Sequence, residues 1–349
     1  MLNPAQFGGS IRRKDLNKFQ QSKNWNGKKF VNLAATQIDI NLKTLPTVLK
    51  DNFSGKQDRV PKQSLPIHPF DAEKFQPEDG KPKFIWYGHS VVLMQLHGFN
   101  LLIDPMFGPD ASPIGPFATK RFSNNTLDII DTLPPIDAIL LTHDHYDHLD
   151  YKSIMKLKPK VNIWLVALGI SRHLEKWEIP AQQVKEFDWW EAVEFQGIKL
   201  TFTPSRHFAG RGALDRSKTL WGGWIFQSND HKIYWSGDGG YGNHFKAIGQ
   251  EYGPFDLAFV ECGQYYKHWH QVHLYPEESI QAAMDAQAQV AVPVHWGAFT
   301  LSPHHWKDPV ERFVKEAIAQ KQDYFIPELG KIFTFETLND MDNWWEKIK

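Results

Sequence analysis

Thr142-His143-Asp144-His145-Tyr146-Asp147-His148-Leu149-Asp150 follows directly on the apolar run Ile136 to Leu141. The run reads as a buried strand, and a strand end turning into a loop is where an α/β protein normally places its chemistry. In extended geometry residues i and i+2 share a face, so His143 and His145 can converge on one ion. Asp147 and His148 lie past the turn and reach a second position beside it. Neutral imidazole suits zinc, and a carboxylate brings the charge that holds a second cation nearby. A solvated loop has no need of three histidines and three aspartates in eight residues. The stretch predicts a binuclear metal site.

Three further apolar runs end in a ligand type. Ile198 to Thr203 leads into Pro204-Ser205-Arg206-His207, Lys232 to Ser236 into Gly237-Asp238-Gly239-Gly240, and Val290 to Val294 into His295-Trp296-Gly297. The glycines around Asp238 let backbone approach a metal closely. The predicted distribution puts His143, His145 and His207 on one ion and Asp147, His148 and His295 on the second. Asp238 bridges both, together with a water or hydroxide. The expected cofactor is two zinc ions per chain, with iron or manganese as alternatives. Each ion keeps an open position, as catalysis requires. A water between two cations about 3.5 to 4 Å apart loses its proton near neutral pH and becomes a nucleophile. The same ions polarise a phosphoryl or carbonyl oxygen.

A chain of 349 residues allows one large domain or two ordinary ones, and 42% apolar content is enough for a sizeable core. Residues 1–80 are polar and irregular, punctuated by Pro61, Pro66, Pro69 and Pro77, and read as an extended arm. Residues 81–349 read as one layered α/β domain. Phe84 to Trp86, Val91 to Leu96 and Asn100 to Asp104 form a meander, and Pro276 to Ala286 is a helix opening on proline with two glutamates behind it. Net charge is −1, which leaves no electrostatic case for nucleic acid. The single cysteine, Cys262, excludes an intrachain disulfide. No stretch reads as a secretory signal or a membrane span, so a cytoplasmic protein is expected. The basic residues Arg12, Arg13, Lys14, Lys18, Lys23, Lys28 and Lys29 are a candidate for peripheral contact with anionic headgroups.

With those residues in view, the chain resembles the metallo-β-lactamase superfamily. Within it, the likeness is to the N-acylphosphatidylethanolamine-hydrolysing phospholipase D and its bacterial relatives. The segments that carry it include Trp86-Tyr87-Gly88-His89, Asp104-Pro105-Met106-Phe107, Gly115-Pro116, Asp188-Trp189-Trp190-Glu191, Trp221-Gly222-Gly223-Trp224 and Gly253-Pro254-Phe255-Asp256. They span roughly residues 80–335. The resemblance implies a four-layered αββα sandwich with metals at one edge. It also implies hydrolysis of an N-acylated phosphatidylethanolamine to an N-acylethanolamine and phosphatidic acid. A lactonase, or a phosphodiesterase on a soluble sugar or nucleotide, is the alternative within the fold. The family's histidine in a His-x-x-Pro-Glu-Glu setting falls on His273, which is expected to meet the scissile phosphate or protonate the leaving oxygen. Tyr146, Lys120, Arg121, Arg206 and Arg211 are the expected substrate-binding residues. The chain departs from the phospholipase at Asp144, at Phe208-Ala209-Gly210-Arg211 and at Glu261-Cys262-Gly263, positions expected to surround the substrate.

Overall fold

The computed structural model describes residues 4–53, 59–76, 80–112, 119–212 and 214–348. Pro77, Gly115 and Pro116 lie outside them. In the first sheet β1 (Lys83–Trp86), β2 (Val92–Leu96) and β3 (Phe99–Ile103) are antiparallel. The sheet continues in parallel through β4 (Ile136–Leu141) and β5 (Val161–Ala167) to β6 (Val184–Phe187). The second sheet repeats the plan. β7 (Ala192–Phe195), β8 (Ile198–Thr203), β9 (Gly223–Gln227) and β10 (Lys232–Trp235) are antiparallel, then β11 (Phe255–Glu261), β12 (Ala288–Val294) and β13 (Asp323–Tyr324) run parallel. A short β14 (Ile332–Phe333) returns to pair with β1.

The inner faces meet through aromatic pairs, with ring centroids of Phe84 and Phe259 5.9 Å apart and of Phe187 and Trp224 5.2 Å apart. Helices α1 (Arg13–Phe19) and α2 (Leu45–Phe53) belong to the N-terminal segment. The connections of the first sheet supply α3 (Thr126–Thr132), α4 (Tyr151–Leu157) and α5 (Ser171–Lys176). Those of the second supply α6 (His244–Tyr252), α7 (Pro276–Asp285) and α8 (Asp308–Gln320). The result is a four-layered αββα sandwich. Strands β2 and β4 are buried nearly end to end because each is covered on both faces, which is why they read as apolar runs broken only by Gln95 and Asp137. Edge strands β6 and β7 are half exposed and carry Lys185, Glu186 and Glu194. Sequence periodicity missed both for that reason.

The topology also positions the chemistry. Strands β1, β3 and β4 point the same way in one sheet, as do β8, β10, β11 and β12 in the other. Their carboxyl ends therefore gather at one edge of the sandwich. There the β1–β2 turn is stitched to the end of β12, with His89 N donating to Trp296 O at 2.8 Å and His295 N to His89 O at 2.9 Å.

Residues 4–76, as far as described, are less extended than their composition suggested. Phe19 and Phe30 are buried in the main core, and Trp25 packs on both at 5.2 and 5.0 Å. Much of the basic stretch is matched by acids. Arg12 and Lys14 pair with Glu175 at 2.7 and 2.8 Å, and Lys18 with Glu186 at 2.7 Å. The Trp177 indole donates to Ala5 O at 2.7 Å and Arg172 to Gly9 O at 3.2 Å, so this segment is strapped onto α5. No helix among the described residues is long and apolar enough to cross a membrane.

Candidate metal centre

All seven residues chosen for their spacing meet at the common strand edge. The ligand atoms of His143, His145 and His207 lie within 4.8 Å of one another, as do those of His89, Asp147, His148 and His295. Asp238 sits between the two groups. Its Oδ2 is 3.9 Å from His143 Nε2, 4.0 Å from His207 Nε2 and 3.1 Å from His148 Nε2, while Oδ1 is 3.2 Å from His295 Nδ1. The loop reaches this arrangement through local chemistry. Asp150 accepts from Ser153 N at 2.9 Å and caps α4, which ends the loop. Gly237 has φ +63°, and a Cβ there would lie 2.1 Å from Gly222 O, so only glycine brings Asp238 into place. His89, Asp104 and His295 also hold positive φ, at 54°, 39° and 67°. Strained backbone of this kind persists where the surroundings over-determine it.

Hydrogen bonds fix which imidazole nitrogens face inward. His207 Nδ1 donates to Val272 O at 2.8 Å, His143 Nδ1 to Thr142 Oγ1 at 3.0 Å and His148 Nδ1 to Asp104 Oδ2 at 2.9 Å. This leaves a bare Nε2 on His143 and His207, while His148 Nε2 lies 3.1 Å from Asp238 Oδ2. His143 Nε2 and His207 Nε2 then lie 2.9 and 3.2 Å from His145 Nδ1. His295 Nε2 is buried without a hydrogen-bond partner among the described residues, 4.0 Å from Asp147 Oδ2. Three imidazole nitrogens converging on one point need a shared proton or a cation between them. This donor set, neutral imidazoles plus carboxylates, fits divalent metal of zinc-like softness.

Electrostatics set four neutral imidazoles apart from His148. Burial pushes His145 down to about 4 and holds His143, His207 and His295 well below the usual imidazole range, keeping them neutral and ready to ligate. Burial opposes charge on His148 too, but Asp238, Asp147 and Asp104 together hold it well above that range. Burial pushes Asp238 up to about 7, against the pull of His148 and aided by the nearby Glu261.

Three supporting residues were not singled out as site residues from sequence. Asp104, at the end of β3, accepts from Thr142 N at 2.9 Å, from the Thr142 hydroxyl at 2.6 Å and from His148. His89 Nε2 lies 2.8 Å from Asp147 Oδ2, with its ring 4.0 Å from that of His295. Glu261, ending β11, hydrogen-bonds His273 Nδ1. The available signal was the same as for the ligands: a polar residue at the end of, or just after, an apolar strand.

A cavity of about 220 Å³ opens over the donors. Its lining includes His145, Asp147, Asp238, His273 and His295 together with Ile38, Ile40, Phe208, Trp269 and Leu301. Tyr146, Lys120, Arg121, Arg206 and Arg211 do not line it. Arg121 is buried and donates to Tyr87 O and Met106 O. Arg206 bonds Thr36 Oγ1 at 3.0 Å, Ala35 O at 2.9 Å and Tyr241 O at 3.1 Å, holding the N-terminal segment. Arg211 donates to Asp144 O and Leu149 O at 2.8 and 2.7 Å, bracing the metal loop from behind. Tyr146 bonds Arg211 O and packs under that guanidinium at 4.1 Å. Lys120 is exposed and pairs with Asp110 through backbone. Strand alternation turns Asp144 away from the ligands, into a buried network with Thr219 Oγ1 at 2.6 Å, Gly210 N at 2.7 Å and His173 Nε2 at 3.1 Å.

Comparison with known proteins places this arrangement. A family model for the β-lactamase superfamily domain matches residues 99–296. An uncharacterised protein of Mycobacterium tuberculosis (strain ATCC 25618 / H37Rv) is 32% identical over 336 residues, covering 93% of this chain and 88% of that protein. A Caenorhabditis elegans protein named N-acyl-phosphatidylethanolamine-hydrolyzing phospholipase D 1 is 32% identical over 302 residues, covering 82% of each. Among solved structures, Igni18, a metallo hydrolase from the archaeon Ignicoccus hospitalis, superposes with a TM-score of 0.57 at 21% identity, over 73% of this chain and 98% of that one. The sandwich, its donor-lined edge and these matches together make this chain a metal-dependent hydrolase of the metallo-β-lactamase superfamily.

Proposed function

We propose that the chain is a phosphodiesterase of the phospholipase D type, hydrolysing N-acylphosphatidylethanolamine to N-acylethanolamine and phosphatidic acid. The observation that carries this reading is the cavity whose lining combines metal donors with Ile38, Ile40, Trp269 and Leu301. A soluble sugar would leave those apolar side chains unused, whereas each acyl methylene laid on them contributes about 0.8 kcal/mol. The name of the nematode relative points the same way. His143, His145 and His207 would hold one zinc ion, Asp147, His148 and His295 a second, and Asp238 would touch both. Zinc, when bound, supplies Lewis acidity and lowers the pKa of coordinated water. His89 orients Asp147, and Asp104 orients His148, so that each presents one atom to the cavity. His273 faces the same space from the α7 side.

The test is incubation of purified protein with N-acylphosphatidylethanolamine, with and without a chelator, beside a panel of lactones and soluble phosphodiesters. Chelator-sensitive release of N-acylethanolamine is expected. A kcat/KM that favours the soluble compounds would assign the site to them instead.

The surface offered to a bilayer includes the segment around residues 33–49, since three cations of the basic stretch, Arg12, Lys14 and Lys18, face Glu175 and Glu186. Leu33 is 63% exposed, Leu42 91% and Leu49 48%, on the same segment that supplies Ile38 and Ile40 to the cavity. The double substitution Leu42→Asp, Leu49→Asp should weaken co-sedimentation with anionic vesicles by at least about tenfold, since burying one leucine is worth roughly 1.5–3 kcal/mol. Unchanged co-sedimentation would move the contact elsewhere.

A further inference from the structure

Glu261 is a buried carboxyl group beside the proposed ligands, with an oxygen that lies within 4.8 Å of ligand atoms of Asp238, His273 and His295. It ends β11, is fully enclosed, and its only ion-pair partner among the described residues is His273, through Oε1 and Nδ1. Its other oxygen accepts from Gly239 N at 2.7 Å, next to Asp238. A carboxylate taken out of water costs several kcal/mol unless it is paired and hydrogen-bonded. Here both oxygens are engaged, and each engagement ends at the cavity. The His273 ring is wedged between the rings of His207, at 5.0 Å, and His295, at 5.6 Å. With Nδ1 tied to Glu261, the nitrogen left for the cavity is Nε2.

We propose that Glu261 is a positioning residue: it holds His273 so that Nε2–H meets the oxygen leaving phosphorus. The proposal rests on the phosphodiesterase reading above. As the oxygen of water bonds to phosphorus and the bond from phosphorus to the ethanolamine oxygen breaks, that bond's electron pair goes to the departing oxygen, which takes the Nε2 proton. Nδ1–H stays on Glu261 throughout, and water returns a proton to Nε2. The Glu261 carboxyl group behind the ring fixes its tautomer and orientation, so that Nε2 is the nitrogen presented to the leaving oxygen. A cross-tie to Gly239 alone would need an acceptor oxygen but no charge, and Gln would supply it equally well.

The experiment is Glu261→Gln in the zinc-loaded full chain, assayed on N-acylphosphatidylethanolamine, whose leaving oxygen needs a proton, and on bis(4-nitrophenyl) phosphate, whose leaving group does not. The expected result is a fall in kcat of about 10²-fold on the lipid and less than about threefold on the nitrophenyl ester, with KM little changed. Zinc content should be unchanged, and Glu261→Gln should add nothing further in a His273→Gln background. Imidazole ¹⁵N spectra of the metal-free protein should show His273 protonated at Nδ1, and a mixed tautomer in Glu261→Gln. Equal losses on both substrates, loss of zinc, a full additional loss in the His273→Gln background or an unaltered ¹⁵N spectrum would each overturn the proposal. If the wild-type chain cleaves neither diester, the phosphodiesterase reading fails, and the ¹⁵N spectra still decide whether Glu261 orients His273.

Discussion

Asp147→Asn should reduce turnover on the order of 10³-fold and lower bound metal from two ions per chain towards one. The substitution keeps the side chain's size and removes only its charge. Asp147 Oδ2 lies 2.8 Å from His89 Nε2, 3.6 Å from His148 Nε2 and 4.0 Å from His295 Nε2, the centre of one donor group. An amide there supplies a weak neutral ligand or turns its NH2 towards bare imidazole nitrogens. The three-histidine group of His143, His145 and His207 contains no contact to Asp147 and should keep its ion. Elemental analysis alongside the hydrolase assay reads both effects. Two ions with near-normal turnover would mean that the paired-ion arrangement is not the working one.

Asp104→Ala should be the most destabilising single change near the site, by roughly 3–5 kcal/mol in a denaturant titration of metal-free protein. Asp104 is fully buried, and removing its carboxylate strands Thr142 N–H, the Thr142 hydroxyl and His148 Nδ1–H at once. The charge that holds His148 above the usual imidazole range weakens as well. Its φ of 39° adds strain for alanine that asparagine tolerates better. Asp104→Asn should therefore fold more nearly like the parent and show its defect in metal affinity, by about 10- to 100-fold. Isothermal titration with zinc on that variant separates the two roles. A variant that is both as stable and as tightly metallated as the parent would show that Thr142 and His148 find other partners.

Much of the centre was legible before any coordinates because the chemistry sits where a simple pattern changes. Each ligand-bearing loop follows a largely buried strand: Leu141 before His143, Thr203 before His207, Trp235 before Asp238, Val294 before His295. A strand buried on both faces advertises itself, and its polar successor stands out against it. The helix from Pro276 was legible from its first proline and two glutamates. The cations misled for the opposite reason. Arginine in a loop looks like a phosphate holder, yet Arg121, Arg206 and Arg211 all satisfy backbone carbonyls that irregular segments leave open. Nothing local distinguishes those two uses, because carbonyl and phosphate oxygens ask for the same donors. The N-terminal segment misled similarly, since Phe19, Trp25 and Phe30 form a core cluster at spacings that match neither a helix nor a strand.

The residue types and their order along the chain thus determined which atoms could bind metal and that they lie at strand ends. Ligation chemistry and strand periodicity are both local properties. Only the tertiary structure decided the rest: that Asp238 reaches both donor groups, that His89, Asp104 and Glu261 stand behind the ligands, and that Ile38 and Ile40 cross over to wall the cavity. Those relations join residues as far apart as Ile38 and Leu301, across two sheets whose matching edges meet because their strands run the same way. Distance along the chain carries no record of that meeting; packing creates it.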